Sequence, residues 1–462
     1  MNTPKNIDFA DKGVDIEQSL ANVIQIPVSA GASFVHDQLS EDRIASLFSE
    51  QYQDTLKFCH SAGKWYFWNG DIWEQKTAKY AQSLIRVFVR HLTGGRKEYC
   101  RAAKFAAVEQ LLKESAEHSV QATYWDKDPY LLGAHKYTID LKDGTFLRPD
   151  PAHALTKTTR VSLLAGPPTT WLQFLNDATK GDQELIRYIQ QICGYALTGS
   201  TKEQALFFIY GPGGNGKSVF LNTISGILGD YARAASMETF TVSKHDRHPT
   251  EIAMLQGKRL VTASETEEGK AWAEARIKQL TGSEPVPARY MKQDFFEFVP
   301  QFKLIIVGNH APQLRSVDDA IRRRFNILPF IHKPTKPDRD LEAKLRHEWP
   351  EILNWMVEGC LDWQANGLVR PAVVAEATDT YFEEQDLFSQ WLEDCCECEN
   401  GYREQTNVLF RNWSHYAERS GEQIGTLKTF CDALKRYGFE SRKSGGIRWR
   451  VGLQLRPGLR ND

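Results

Sequence analysis

The sequence has no N-terminal signal peptide and no apolar run of about 18 residues, which are the marks of secretion and of a membrane-spanning helix. It also lacks a cysteine pattern that would bind zinc. Its eight cysteines are scattered, and the single cluster at 395–398 has no second Cys/His group at zinc-site spacing. We therefore expect free thiols in a reducing cytosol, a soluble cytoplasmic protein and no membrane partner.

The net charge is also small, at −2 over 462 residues, but the charged residues are unevenly distributed along the chain. Residues 401–462 carry twelve Lys or Arg against six Asp or Glu, a net charge of +6 that leaves −8 for residues 1–400. This basic C-terminal part favours a polyanionic partner, with an ordinary solvated basic face as the alternative. The length exceeds what one hydrophobic core supports, so we expect about two to four domains.

The most informative segment that is present is a phosphate-loop motif at 211–218. Four residues separate its two outer glycines, and Lys-Ser follows them; its members are Gly211, Pro212, Gly213, Gly214, Asn215, Gly216, Lys217 and Ser218. An apolar run precedes the motif and an apolar-periodic segment follows it, which predicts strand, loop and helix. The alternative is a glycine-rich turn that matches the motif by chance, but such a turn would not be expected to lie between a strand and a helix. Lys217 would reach the β and γ phosphates of ATP, and Ser218 would hold Mg²⁺.

Hydrolysis also requires an acid, a polar sensor and usually an arginine. A short apolar strand ends at Glu265, our first candidate for the acid and for a Mg²⁺ ligand, with Glu267 second; a solvated turn is the alternative. The apolar run 303–308 ends at Asn309, the candidate sensor. The three arginines at 322–324 either cap a helix or act on a neighbouring subunit, and we favour Arg323 and Arg324 over Arg322 for the second role.

Five segments in this order resemble a superfamily 3 helicase, and more narrowly the phage and plasmid primase–helicase family typified by satellite-phage and poxvirus replication proteins. They are GPGGNGKS, RLVTASETEEG, IKQLTGSEPVPARYMKQ, FKLIIVGNH and DDAIRRRF. The upstream segments KWYFWNGDIW and DPYLLGAHKYTIDLKDGTFLRPDP are similar to the domain that precedes the helicase in that family. The resemblance implies an AAA+-type ring hexamer that binds single-stranded and forked DNA and moves 3′ to 5′, in a bacterial host cell.

The resemblance also implies a helix leading into a DNA-contacting hairpin between Glu265 and Asn309. On this sequence the hairpin residues would be Arg289, Tyr290 and Lys292, with Lys278 on the helix before them. An arginine and an aromatic side chain at such a tip can bind phosphate and base. Two alternatives stay open: Lys292 as an ordinary exposed lysine, and Tyr290 as a core residue.

The C-terminal residues predict a winged helix. Two helical segments are followed by GFESRKSGGIRWRVGLQL, which predicts two strands around a Gly-Gly turn. Lys443 and Arg448 lie in this basic ribbon and could contact the phosphates of duplex DNA. A solvated hairpin or a protein-docking surface is the alternative.

The predicted fold is α/β, with an AAA+-like P-loop ATPase core around a parallel sheet, a small α+β domain before it and a winged helix after it. The expected boundaries are a flexible lead-in at 1–40, the α+β domain at 41–165, the ATPase domain at 166–335 with a helical lead-in at 170–200, a helical connector at 336–375 and the basic domain at 376–462. About 150 residues precede the ATPase part, without a paired-carboxylate centre for primer synthesis, so we expect a separate primase or polymerase partner.

Two functions follow as hypotheses. The first is an ATP-dependent DNA helicase in the replication of a phage, plasmid or integrated mobile element. The second is a DNA-bound AAA+ ATPase switch or loading factor that remodels a complex without unwinding. A monomeric P-loop kinase would leave Asn309 and the arginines without a role.

Overall fold

The structure is a computed structural model that describes residues 39–242, 249–264, 271–291, 294–309, 312–314, 318–334, 337–385, 387–420 and 424–459. The chain divides into two compact units. The first comprises Met1–Ile139 and Phe146–Thr158, and the second comprises Asp140–Thr145 and Thr159–Asp462. No helix within the described ranges is long and apolar enough to cross a membrane.

The first unit contains a four-stranded sheet in the order β3-β2-β1-β4 and three helices. The Asn69 side chain accepts hydrogen bonds from the backbone N–H groups of Asp71 and Ile72, which closes the turn between β2 and β3. A further sheet, β5-β6-β7, lies at 131–147. The elements are α1 (Glu41–Tyr52), β1 (Leu56–Cys59), β2 (Lys64–Trp68), β3 (Trp73–Lys76), α2 (Ala78–Thr93), α3 (Ala102–Glu114), β4 (Ser119–Val120), β5 (Leu131–Ala134), β6 (Tyr137–Asp140) and β7 (Thr145–Leu147).

The second unit is built on a five-stranded sheet in the order β14-β8-β13-β10-β9, with every pair parallel. Its inner strands β8 and β13 and the edge strand β14 are apolar and almost entirely buried, as parallel sheets covered by helices require. The mixed α/β fold with a parallel sheet is thus confirmed. The sheet and the helices in its crossovers are β8 (Leu206–Tyr210), α6 (Lys217–Leu228), β9 (Ala232–Ala234), α7 (Pro249–Ala253), β10 (Leu260–Ser264), α8 (Glu274–Thr281), β11 (Val286–Arg289), β12 (Phe295–Phe298), β13 (Lys303–Gly308), α9 (Asp319–Arg322) and β14 (Phe325–Pro329).

Four further helices support this sheet: α4 (Thr169–Thr179), α5 (Gln183–Leu197), α10 (Leu341–His347) and α11 (Trp349–Asn366). Helices α5 and α11 cross where each carries a glycine. A Cβ on Gly359 would overlap the carbonyl of Gln190, and a Cβ on Gly194 would overlap the backbone at Cys360. The two backbones approach so closely because neither residue has a side chain at the crossing, and this fixes the helix that leads into β8.

The C-terminal end of α5 is stabilised by a buried lysine from the sheet. Lys303, at the start of β13, is 1% exposed and donates to the carbonyls of Thr198 and Ser200, while its ammonium lies 4.6 Å from the Tyr195 ring centre. Burial lowers the pKa of Lys303 well below its usual range. A cation at the negative end of a helix is favourable, so Lys303 ties α5 to the sheet next to the strand that carries the phosphate loop.

Helix α12 (Ala372–Gln385) packs against β14: its Thr378 hydroxyl accepts from the Ile327 N–H group at 3.1 Å, and Tyr381 and Phe382 belong to the core of the parallel sheet. The elements after it form a compact C-terminal part with its own aromatic core around Trp391, Trp413 and Phe430. In this part β18 lies between β16 and β17, and β15 pairs with β19. The elements are α13 (Leu387–Cys395), β15 (Cys396–Glu397), β16 (Arg403–Gln405), α14 (Thr406–Arg419), α15 (Leu427–Arg436), β17 (Ser441–Ser444), β18 (Ile447–Val451) and β19 (Gln454–Leu455).

Candidate nucleotide-binding site

Three adjacent strands of the parallel sheet end at the same level and bring the candidate site together. Tyr210 at the end of β8 lies beside Gly308 at the end of β13 and beside Pro329 at the end of β14. The phosphate loop therefore starts next to Asn309 on one side and next to the segment after β14 on the other. Ligand sites of open α/β sheets lie at this carboxyl edge.

The loop at 211–216 has a backbone that glycine alone adopts without strain. Gly211 has φ +150° and Gly216 has φ +88°, and both positions are closely packed. A Cβ on Gly211 would overlap the carbonyl oxygen of Phe330, and a Cβ on Gly216 would lie 2.6 Å from the Phe174 ring. These glycines keep the loop pressed against its surroundings, which leaves its amides and the start of α6 available for an anion.

Lys217 is the first residue of α6 and is only 7% exposed. Its ammonium donates to the carbonyl oxygen of Gly211 at 2.5 Å, to that of Pro212 at 3.1 Å, and to the Oδ1 atoms of Asn215 at 3.0 Å and Asn309 at 3.2 Å. Burial lowers the pKa of Lys217. The ammonium is thus held inside the loop by neutral acceptors, which a phosphate oxygen could replace with a stronger, charge-assisted bond.

The other loop residues fit a polyphosphate as well. Asn215 is buried and donates its amide to the carbonyl of Phe330, so its role is to shape the loop. Ser218 is exposed in the first turn of α6, where its hydroxyl could face Mg²⁺. The donors and the glycine cradle therefore fit a nucleotide phosphate chain.

Glu265 and Glu267, the two candidates for the acid, lie outside the described residues; β10 ends at Ser264, immediately before Glu265.

The three adjacent arginines at 322–324 have different surroundings in the structure. Arg324 is 7% exposed and donates to the Thr281 hydroxyl, the Ala320 carbonyl and the Gln204 side chain. Arg322 lies over the Phe382 ring and 3.5 Å from Asp379. Arg323 is exposed and makes one long contact, 3.4 Å to Gln204. Among the three, Arg323 has the side chain that can most easily reach another molecule.

Helix α8, which leads into the β11–β12 hairpin, is tied to the arginine helix α9. Lys278 forms an ion pair with Asp318, and Asp318 also caps α9 by accepting from the Ile321 N–H group at 2.8 Å. The family resemblance implies that Lys278 lies on the helix before the DNA-contacting hairpin. The structure places its ammonium on a carboxylate of its own chain, so a DNA contact by Lys278 stays a prediction.

The hairpin presents a cation and a phenyl ring on one face. Arg289 pairs with Phe295 across the strands, the guanidinium lies 4.7 Å from the ring centre, and Phe295 is 63% exposed. Tyr290 instead stacks on Phe296 and donates its hydroxyl to the Ala253 carbonyl at 3.1 Å. Packing against its own chain thus leaves less of Tyr290 for DNA than the sequence suggested. Lys292 lies outside the described residues.

The C-terminal ribbon places like charges opposite each other. Lys443 on β17 is the direct partner of Arg448 on β18, and both side chains are exposed. Directly opposed like charges repel, which costs stability unless an anion lies between them. By contrast Arg450 is buried, with its guanidinium donating to the carbonyls of Phe439 and Cys431, so it supports the ribbon from inside.

Sequence reasoning missed three residues of these sites. Phe295 was absent from the hairpin prediction, and Phe174 and Lys333 were absent from the nucleotide site. Alternation within β12 could have indicated that Phe295 faces outward, since Phe296 and Phe298 lie on the inner face. The contacts of Phe174 and Lys333 with the phosphate loop join segments far apart in sequence, for which the sequence alone carries no signal.

Comparison with known proteins gives two family matches. Residues 45–180 match a family described as "D5 N terminal like", and residues 209–324 match a "Family of unknown function (DUF5906)". Helicase L207/L206 of Acanthamoeba polyphaga mimivirus, a provisional name, is 24% identical over 313 residues, which cover 62% of this chain and 32% of the viral protein. Helicase 022R of Frog virus 3 (isolate Goorha), named with the same reservation, is 25% identical over 282 residues, or 54% of this chain and 28% of its own length.

The chain thus spans about a third or less of the length of these curated relatives. Among solved structures, the apo C-terminal region of NrS-1 (305–718) matches with a TM-score of 0.49 and 11% identity, over 90% of this chain and all of that one. The D5-type family match and the similarity to viral proteins that carry provisional helicase names agree with the motif resemblance to a D5-type primase–helicase family.

Proposed function

We propose that this protein is an ATP-dependent DNA helicase of the superfamily 3 type. The observation that carries the proposal is the 3.2 Å contact between the Lys217 ammonium and Asn309 Oδ1, which joins the phosphate loop to a polar side chain on the neighbouring strand. A hydrolytic site needs such a pair, because the lysine binds the β and γ phosphates while the polar side chain positions the attacking water. A site of this kind is compatible with several kinds of ATPase, and the provisional names of the viral relatives favour a helicase.

Three features support an AAA+ ring. Numbered by chain order within the sheet, its five strands run 5-1-4-3-2, the order expected for an AAA+ core. The exposed Arg323 suits a site completed by the next subunit. The pair of half-buried Arg289 and exposed Phe295 suits a hairpin that binds single-stranded DNA by phosphate contact and base stacking. We propose a homohexamer that moves 3′ to 5′ and serves replication of a phage, plasmid or mobile element in a bacterial cell, with a separate primase or polymerase.

The proposed chemistry assigns a role to each residue of the site. Lys217 and the loop amides hold the terminal phosphates, Asn309 orients water, and Arg323 of a neighbouring subunit stabilises charge in the transition state. Mg²⁺, held by Ser218 and Glu265, would neutralise charge developing on the phosphate oxygens. Glu267 stands as the second candidate for the acid.

The proposal predicts unwinding that depends on tail polarity. With ATP and Mg²⁺, the wild-type protein should separate a forked DNA duplex with a single-stranded 3′ tail, and it should be much less active on a duplex with only a 5′ tail. A strand-displacement assay with labelled DNA measures both. The Lys217→Ala variant should unwind neither substrate, because it loses the ammonium that binds the transferred phosphate.

The competing function, a DNA-bound ATPase switch or loading factor, makes a different prediction for the same assay. It would give DNA-stimulated ATP hydrolysis without strand separation on any tail. That result would contradict the helicase proposal while leaving the nucleotide site intact.

The basic ribbon supports a winged helix that contacts duplex DNA. Apart from the short pair β15–β19, the part consists in chain order of α13, β16, α14, α15, β17 and β18, the helix and strand order of a winged helix, in which β17 and β18 would form the wing. Because Lys443 and Arg448 repel each other across the ribbon, a phosphate between them would relieve that repulsion while it gains two cationic contacts. We propose that this ribbon positions the ring on duplex DNA without reading its sequence.

Replacing both residues, Lys443→Ala with Arg448→Ala, should weaken binding to blunt duplex DNA and reduce its salt dependence. Each lost phosphate contact lowers the magnitude of the slope of log K against log[salt] by about 0.9, so the double variant should lose about 1 to 2. Fluorescence anisotropy over a salt series measures the slope. A control variant with Arg411→Ala and Arg419→Ala removes two exposed charges from α14 of the same domain. An equal loss in both variants would show a general charge effect and no specific ribbon contact.

A further inference from the structure

The segment after β14 is held directly against the phosphate loop. The Phe330 N–H group donates to the Tyr210 carbonyl at 2.7 Å, which extends the β8–β14 pairing by one residue. The Phe330 carbonyl then accepts from the Asn215 side chain within the loop. These two bonds hold Phe330 beside the loop, three residues before Lys333.

Lys333 lies over the exposed rim of this loop. A Cβ on Gly214 would be 2.8 Å from Lys333 Cε and 3.8 Å from its ammonium nitrogen, and its three nearest neighbours would all be atoms of Lys333. Gly214 and Lys333 are both exposed. No carboxylate among the described residues forms an ion pair with Lys333. Its aliphatic part thus covers the glycine, while its charge stays at the surface of the loop.

Two more basic groups lie near this rim. His332 precedes Lys333, and its pKa is lowered by burial and by the nearby charge of Lys180. Lys180 ends α4, the helix whose Phe174 ring packs against Gly216. The ammonium groups of Lys180 and Lys333 thus give this side of the loop a positive potential, which favours binding of a polyanion.

We infer that Lys333 is a second nucleotide-binding lysine, which contacts the phosphate chain from the same subunit at the rim of the loop. Lys217 and the loop amides bind the terminal phosphates inside the phosphate loop. The rest of the nucleotide must extend across the rim of the loop, where Lys333 offers a flexible point charge on a long side chain. This inference rests on the proposed nucleotide site, and it adds a residue that follows the fifth strand of the sheet.

The test is ADP binding by isothermal titration calorimetry on the full chain, with and without Mg²⁺, so that no turnover is needed. Lys333→Met keeps the stem over Gly214 and removes the charge; it should raise the Kd for ADP about 5- to 20-fold, the range for losing one exposed charge-assisted contact. Lys333→Arg should stay within about threefold of wild type, because the charge is kept. Lys344→Met removes an exposed lysine from α10 and should leave the Kd unchanged.

The outcomes separate this inference from the function on which it rests. If Lys333→Met binds ADP as tightly as wild type while Lys217→Ala abolishes binding, Lys333 has no role in the site and the site itself stands. If the wild-type chain does not bind ADP, both the nucleotide site and the role of Lys333 are wrong. Since Lys333 is exposed and donates no hydrogen bond to a described residue, the variant should unfold at the same temperature as wild type.

Discussion

Lys217→Ala is expected to lower the kcat for ATP hydrolysis by roughly 10²- to 10³-fold, the loss seen when one donor to a transition state is removed. Lys217 is the only residue of the motif whose positive charge lies inside the loop, and its four acceptors hold it there. Without the ammonium, charge that develops on the terminal phosphates is stabilised by the backbone amides alone. A steady-state phosphate-release assay measures the change.

The control for this variant is Lys344→Ala, which removes an exposed ammonium that pairs with Asp338 on the surface. Exposed ion pairs contribute little to stability, about 0–1 kcal/mol, so this variant should fold and hydrolyse ATP like the wild type. If Lys217→Ala retained more than a third of the wild-type rate, the phosphate loop would not be the hydrolytic site. Far-ultraviolet circular dichroism would show whether α6 still forms in the variant.

The fold of the candidate nucleotide site was predictable from sequence where local pattern determines structure. An apolar strand, a glycine loop and an apolar-periodic helix follow each other without interruption at 206–228, and the structure has β8, the loop and α6 at these positions. The polar ends of the apolar runs were also informative. Parallel strands end at one edge of a sheet, so a residue after β13 and a loop after β8 had to lie close together if the strands were neighbours.

Residues whose environment depends on distant packing were not predictable. The three arginines are equivalent in sequence, yet the fold buries Arg324 against Thr281 and Gln204 and leaves Arg323 exposed. Lys303 begins an apolar strand and would be expected at the surface, but the C-terminal end of α5 supplies carbonyl acceptors that allow it to be buried. In both cases the deciding contact joins elements separated by more than forty residues, and no local pattern records it.

Arg323→Ala is expected to lower kcat by about 10³-fold or more, the range for an arginine that stabilises phosphoryl transfer, while the Kd for ADP stays unchanged. The reason is its exposure: among the described residues Arg323 makes one hydrogen bond, 3.4 Å to Gln204, so its guanidinium can act on the site of a neighbour. Arg322→Ala is the matched control, since Arg322 is held by Phe382 and Asp379 on α12. It should change kcat much less. A steady-state hydrolysis assay measures kcat, and isothermal titration calorimetry measures the Kd for ADP.

Mixing experiments distinguish action between subunits from action within one. In a ring, a subunit with Lys217→Ala still offers Arg323 to its neighbour, and a subunit with Arg323→Ala still has a complete phosphate loop. Mixed rings of the two inactive variants should therefore contain intact shared sites and recover a substantial fraction of the wild-type rate. The proposed shared site would be contradicted if the mixture recovered no activity and the protein had a strictly monomeric mass under native conditions with Mg²⁺ and a nucleotide analogue. An equal loss in Arg322→Ala and Arg323→Ala would instead indicate that α9 has a structural role, because the two arginines have different partners.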